Sequence, residues 1–224
     1  AYIGLNGIGV ARYEISTNSW LSTWTEYSGS PSGNAILDPG NQDVTGLVAD
    51  INPNQLWIGG EDGFQLIDVV NEVEVYDIEK NDALYLGNGE PYQMVIYNGV
   101  MYYHQGDDSN SVYRLDVVNF NQLSNIDAGI QLDDNSGPAW GIGLIDGVIM
   151  ASVASNGGFP DYYDGRGGIA QWDITNDTWG ENIEPTGQVD RVTAYETNSG
   201  EMWVSWGELR LDLYDSSRNF VGSW

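Results

Sequence analysis

Cysteine is absent from this sequence of 224 residues, and lysine and histidine occur once each, at Lys80 and His104. Without thiols there are no disulfides, no thiolate nucleophile and no cysteine-based zinc site. A single histidine excludes a histidine-cluster metal centre. Positive charge of any kind is scarce: Lys+Arg is 7 against Asp+Glu 33, a formal net charge of -26. Such a surface repels phosphate backbones and anionic lipids, so neither nucleic acid nor a membrane surface is an expected partner. Long apolar runs are missing too. None approaches the roughly 18 residues that cross a bilayer, so no membrane insertion is expected. Helical periodicity is also lacking: no segment of helical length shows a 3.6-residue apolar pattern.

What the sequence does have is a repeat. Four segments share a phrase, namely Arg12-Tyr13-Glu14-Ile15-Ser16-Thr17-Asn18, Leu66-Ile67-Asp68-Val69-Val70-Asn71, Arg114-Leu115-Asp116-Val117-Val118-Asn119 and Gln171-Trp172-Asp173-Ile174-Thr175-Asn176. A degenerate fifth copy reads Leu213-Tyr214-Asp215-Ser216-Ser217-Arg218. Each is an alternating strand that ends in an acid and runs into an Asn- or Ser-rich turn. Asx and Ser side chains bond backbone groups two residues on, so these acids are read as turn-makers rather than catalysts.

Around each phrase the same elements recur. First strands are expected at Val44–Ala49, Tyr92–Tyr97, Trp140–Ile145 and Val192–Glu196, about 50 residues apart. Short turns follow, among them Asn98-Gly99 and Asp146-Gly147, whose residues suit the positive φ of primed hairpins. Second strands come next, then a Gly/Asp-rich loop, the shared phrase and an outer strand. Four antiparallel strands at this period predict an all-β fold, a β-propeller of about five four-stranded blades. One domain is expected over residues 1–224, with repeats at approximately 1–43, 44–91, 92–138, 139–188 and 189–224. Tyr2-Ile3-Gly4 aligns with Trp57-Ile58-Gly59, a second strand, so the first blade is expected to lack its innermost strand. Either the chain is a piece of a larger propeller or it closes with an incomplete blade. Unclosed edges would open a route to self-association.

The segment Leu56-Trp57-Ile58-Gly59-Gly60-Glu61-Asp62-Gly63-Phe64-Gln65-Leu66-Ile67-Asp68 resembles the two-component regulator propeller repeat, and Gly168 to Trp179 is similar to the ending of a kelch repeat. The resemblance implies a propeller and a sensing, adhesion or binding role, with no catalytic residues.

Candidate chemistry falls on the loops between second and third strands and between blades. The richest are His104–Asn110 and Asn156–Arg166. Asp107, Asp108, Asp161 and Asp164 are of the type that holds calcium, though none has the spacing of a dedicated calcium loop. No organic cofactor is expected, and Ca2+ is the metal ion these acids would suit. Trp140, Tyr162, Tyr163 and Trp206 are candidate platforms for a ligand, and Arg166 a candidate clamp for an anionic group. His104 is read as structural or surface, and Trp57, Trp172 and Trp203 as packing between blades. The expected function is a non-enzymatic scaffold or binding module, extracellular or on the cell surface, taking a protein or glycan partner through one loop face. The alternative is a carbohydrate-active enzyme using loop carboxylates, although 33 acids make close pairs a matter of chance.

Overall fold

The computed structural model describes residues 1–5, 7–25, 33–35, 37, 43–80, 82–85, 89–105, 111–127, 136–155, 168–183, 192–196, 200–206 and 210–224. These residues form strands and turns and no helix. The first sheet holds β1 (Tyr2–Leu5), β2 (Gly9–Glu14), β3 (Ser19–Trp20), β4 (Thr23–Thr25) and β5 (Gly33–Ala35). The second runs β6 (Gly46–Ala49), β7 (Gln55–Gly60), β8 (Gly63–Asp68) and β9 (Val73–Glu79). The third runs β10 (Pro91–Tyr97), β11 (Val100–Gln105), β12 (Ser111–Asp116) and β13 (Asn121–Asp127). The fourth has β14 (Ser136–Ile145), β15 (Val148–Ser155), β16 (Gly168–Asp173) and β17 (Thr178–Trp179). The fifth has β18 (Val192–Glu196), β19 (Met202–Trp206), β20 (Leu211–Tyr214) and β21 (Phe220–Ser223).

Sheets two to five each contain four strands in sequence order, which is the blade the repeat predicts. In the first, β1 occupies the place of β7, and among the described residues no counterpart of β6 precedes it, as the alignment of Tyr2-Ile3-Gly4 anticipates. Two details differ. The outer strand of the first sheet is split into β3 and β4, which pair with β2 at Tyr13↔Trp20 and Val10↔Trp24. β5 then lies parallel to β4, with Thr23↔Gly33 and Thr25↔Ala35, inside a stretch the sequence reads as a loop. An outer strand leaves a row of backbone donors and acceptors unpaired, and β5 satisfies them.

The chain forms two compact units, Ala1–Met101 with Leu115–Gln122, and Tyr102–Arg114 with Leu123–Trp224. In the first unit, Val10, Trp24, Leu37, Val44, Leu56, Ile58 and Ile67 form one buried cluster, and Thr45 Oγ1 donates to the Pro91 carbonyl at 2.6 Å. Strand β7 is buried along nearly its whole length, whereas outer β9 alternates poorly and is mostly exposed. An inner strand covered on both faces needs a continuous apolar run, and Leu56-Trp57-Ile58 supplies it. In the second unit the core is Ile145, Met150, Ile169, Ile183, Met202, Val204 and Tyr214.

The hairpin turns follow their residues. Asn98-Gly99 has φ of 50° and 79°, and Asp146-Gly147 has 52° and 77°, the double positive φ of the primed turn. The repeated phrase also turns through one left-handed residue per blade: Asn18, Glu72, Phe120, Asp177 and Arg218. Four of these five reach back to an earlier sheet of their own unit. Glu72 pairs with Arg12, Phe120 packs on Trp57 and Tyr76 with ring centroids 6.3 and 4.2 Å away, Asp177 meets Arg114 at 3.4 Å, and Arg218 faces Asp146 at 3.6 Å. Arg12 and Arg114 are held alike. Each donates from Nε to a serine carbonyl and from Nη2 to that serine's hydroxyl, Ser22 at 2.7 and 2.6 Å and Ser124 at 2.6 and 2.6 Å.

Candidate functional site

The acids of the repeated phrase build turns, as their sequence context indicates. Asp68 Oδ1 accepts from the backbone N–H of Val70 and Asn71, both at 2.9 Å, while its Oδ2 accepts from Asn71 Nδ2 at 2.8 Å. Asp116 repeats this set with Val118 and Asn119, and Asp173 with Thr175 and Asn176. Asp215 accepts from the N–H of Ser217 and of Asn219. All four carboxyls are held below the usual carboxylate range. The first cause is the Asn71 backbone N–H for Asp68, the Asn119 and Asn176 side-chain amides for Asp116 and Asp173, and the Asn219 backbone N–H for Asp215.

Asp77 on β9 behaves oppositely. Burial, then the charges of Glu74 and Glu79, push its carboxyl from 3.8 up to about 6. The two effects carry opposite signs in stability. A lowered native pKa contributes stability above the ordinary carboxylate pKa that disappears as pH falls through the lowered value. A raised native pKa means the fold gains stability as pH falls from about 6 toward 3.8. The thermal midpoint should therefore rise from pH 7 to about 5 and fall again below about pH 4. In Asp77→Asn the gain at pH 7 should be about 1 kcal/mol, after discounting the partly exposed group for solvent screening, and the rise toward pH 5 should shrink. Mutant and wild-type pH curves that run parallel would overturn this assignment.

The sequence-derived ligand and metal candidates are placed only in part. Trp140 lies in β14 and Trp206 closes β19, both by backbone position. Tyr162, Tyr163, Arg166, Asp107, Asp108, Asp161 and Asp164 lie outside the described residues. Among the described residues no group of three or more His, Asp or Glu could hold a metal ion. His104 is no loop residue: it belongs to strand β11 and is 1 % exposed. Trp57 is fully buried and touches Phe120 of the third sheet, as its strand position predicts. Trp172 and Trp203 instead meet rings of their own sheets, Trp179 at 5.0 Å and Trp224 at 5.2 Å.

One site escapes the sequence. Within the second unit, Arg210, Tyr214, Arg218, Phe220, Asn182 and Ile183 line a cavity of about 500 Å³. Arg210 precedes β20, Tyr214 ends it and Arg218 sits in the following turn, so the cavity follows the length of that strand. Its floor is core, since Ile183 and Tyr214 belong to the buried cluster. Asp212, fully buried, takes Arg210 Nε on Oδ1 at 2.8 Å and Nη2 on Oδ2 at 2.6 Å. The sequence signal was small but present: two of seven basic residues stand eight positions apart in a chain of -26.

Repeated four-stranded antiparallel sheets joined in sequence order define a β-propeller fold, and solved structures agree. The chain is similar to U3-55K, with a TM-score of 0.68 and 9% identity over 100% of this chain and 60% of that one. It is also similar to the extracellular domain assigned to a hybrid two component system of B. thetaiotaomicron, with a TM-score of 0.65 and 13% identity over 98% of this chain and 26% of that one. The chain thus spans less than two thirds of either. No protein-family model matches it and no curated protein sequence matches it, so the likeness is one of fold.

Proposed function

We propose that this chain is a non-enzymatic propeller scaffold, a single domain over residues 1–224, that binds a protein or glycan partner through the loop end of its sheets, outside the cell or at its surface. The observation that carries the reading is the unequal length of connections at the two ends of a sheet. In the fourth sheet a two-residue primed turn, Asp146-Gly147, joins β14 to β15, whereas residues 156–167 separate β15 from β16. Antiparallel order puts that long connection at the end from which β17 leaves for the next sheet. Rigid sheets presenting long connections on one end are a common basis for binding. Asp68, Asp116, Asp173 and Asp215 are bonded into the backbone of their turns, which favours a structural part for them over a catalytic one. The resemblance to two-component regulator and kelch-like repeats favours the same reading, and the extracellular neighbour supports the location.

Replacing residues 156–167 by a four-residue Gly/Asn turn tests it. Binding to a glycan array and to a panel of basic protein ligands should fall about tenfold or more, with the thermal midpoint little changed. Undiminished binding, or turnover of aryl glycosides by the intact chain, would overturn it.

A further inference from the structure

The cavity beside β20 brings together groups that the scaffold reading does not use. In a chain with 33 acids and 7 basic residues, two arginines line one space. Their partners set them apart from the other described arginines. Arg12 and Arg114 are each held by a serine carbonyl, a serine hydroxyl and an acid on another sheet. Among the described residues Arg218 has only long contacts, Nη1 to the Gly200 carbonyl at 3.3 Å and Nη2 to Asp146 Oδ2 at 3.6 Å, where charge-assisted bonds are usually ~2.8 Å. Asp146 itself is 64 % exposed, so water competes for it. Among the described residues no carboxylate thus makes a short contact with the Arg218 guanidinium, although its side chain is only 17 % exposed and the Asp215 charge lies near enough to act on it. Arg210, by contrast, is fixed in orientation by the buried Asp212 carboxylate.

The remaining walls are of another kind. Phe220, 54 % exposed, stands at the rim, and Tyr214, 6 % exposed, lies on the floor, with ring centroids 5.9 Å apart and planes at 73°. Burial first, and then the Asp212 charge, raise the Tyr214 pKa, so the phenol remains a neutral O–H donor at physiological pH. Asn182 adds an amide. A volume of about 500 Å³ lies within the range of small-molecule sites, which pair apolar walls with a few placed polar groups.

We propose that this cavity binds a carboxylate-bearing saccharide, with its carboxylate on Arg218, its hydroxyls on the Tyr214 phenol and the Asn182 amide, and a ring face against Phe220. Guanidinium forks match carboxylates in geometry, and an aromatic face accommodates the C–H side of a sugar ring. A bare anion would leave the aromatic wall unused, and a neutral sugar would leave the guanidinium unmatched. The proposed carboxylate contact, Arg218, lies in the turn that follows β20, at the end opposite the long connections invoked above.

Titration of the 224-residue chain with digalacturonate, with maltose as the neutral counterpart and inorganic sulfate as a bare anion, tests the assignment by calorimetry. Digalacturonate should bind at least about tenfold more tightly than either control. Arg218→Gln should weaken it about tenfold or more, because a charge-assisted contact is lost. Asp146→Asn should strengthen it several-fold, by removing the competing carboxylate, about a threefold gain being the minimum expected. Asn suits the positive φ of that turn, so this second variant keeps the hairpin and decides the matter even where Arg218→Gln folds poorly. Equal binding of maltose, sulfate as tight as digalacturonate, or an Asp146→Asn chain with unaltered affinity would overturn the proposal.

Discussion

Gly63→Ala should cost about 4 kcal/mol of stability, lowering the thermal midpoint by about 10 °C in a chain of this length. Gly63 opens β8 with φ of +137°, a region that residues with a side chain rarely enter. A Cβ built there would lie 2.0 Å from the Ile78 carbonyl oxygen and 3.2 Å from the Lys80 nitrogen. Both are backbone atoms of the end of β9, where Gly63 pairs with Glu79, so relief requires parting two strands rather than turning a rotamer. Gly9 repeats the geometry in the first sheet, with φ of +114° and the Trp24 carbonyl oxygen 2.0 Å from the built Cβ. The control is Gly7→Asn. Gly7 also has positive φ, but the nearest atom to its Cβ position is Asp43 Oδ1 at 3.6 Å. Asparagine tolerates this region, so the loss should stay below about 1 kcal/mol. Equal urea midpoints for Gly63→Ala and Gly7→Asn would show that backbone proximity at Gly63 is not the constraint.

Trp57→Ala should cost a comparable 3–5 kcal/mol, about the range for removing a fully buried large aromatic. Trp57 meets Phe64 edge-on at 6.5 Å and Phe120 at 6.3 Å, and its Nε1–H donates to Asp50 Oδ1 at 2.9 Å. Trp57→Phe separates these contributions. It keeps most of the apolar contact and removes the hydrogen bond, for about 1–2 kcal/mol. A double-mutant cycle of Trp57→Ala with Phe120→Ala should leave a coupling of about 0.5–1.5 kcal/mol, the range of an aromatic pair. Strict additivity would mean that the two rings do not act together.

Much of this architecture was legible because the repeat writes the same local physics several times. Asp68, Asp116, Asp173 and Asp215 each precede residues whose backbone N–H they accept, and that short-range bonding can be read from adjacent letters. Asn98-Gly99 and Asp146-Gly147 likewise declare their φ. Contacts between sheets were not legible. The left-handed turn position carries Glu72, Phe120, Asp177 or Arg218, and each partner lies more than 40 positions away. Strand β5 was missed because Gly33-Asn34-Ala35 has no alternation and pairs parallel to β4, outside the antiparallel order the repeat leads one to expect. His104 was read with the Gly/Asp-rich residues that follow it, although the apolar run Val100-Met101-Tyr102-Tyr103 carries β11 through it to Gln105. Of the candidate platforms, Trp140 and Trp206 take up strand positions, while the cavity of Arg210 and Arg218 assembles from residues on either side of β20.

The unlike chemistry at the left-handed turns has a consequence for how the chain assembles. Repeat proteins risk docking one unit on the wrong neighbour, because every unit has nearly the same shape. Here successive junctions differ in chemistry: acid on arginine at Glu72, ring on rings at Phe120, acid on arginine at Asp177, and the reversed polarity at Arg218. A mispaired blade would set Phe120 against the Arg12 guanidinium or Glu72 against the Trp57 face, each leaving a charge without its counterpart. Rejection of wrong neighbours by unmatched groups is how specificity is made when shapes are alike. A repeat that is redundant in backbone thus tells each blade from the next by the chemistry of its turn.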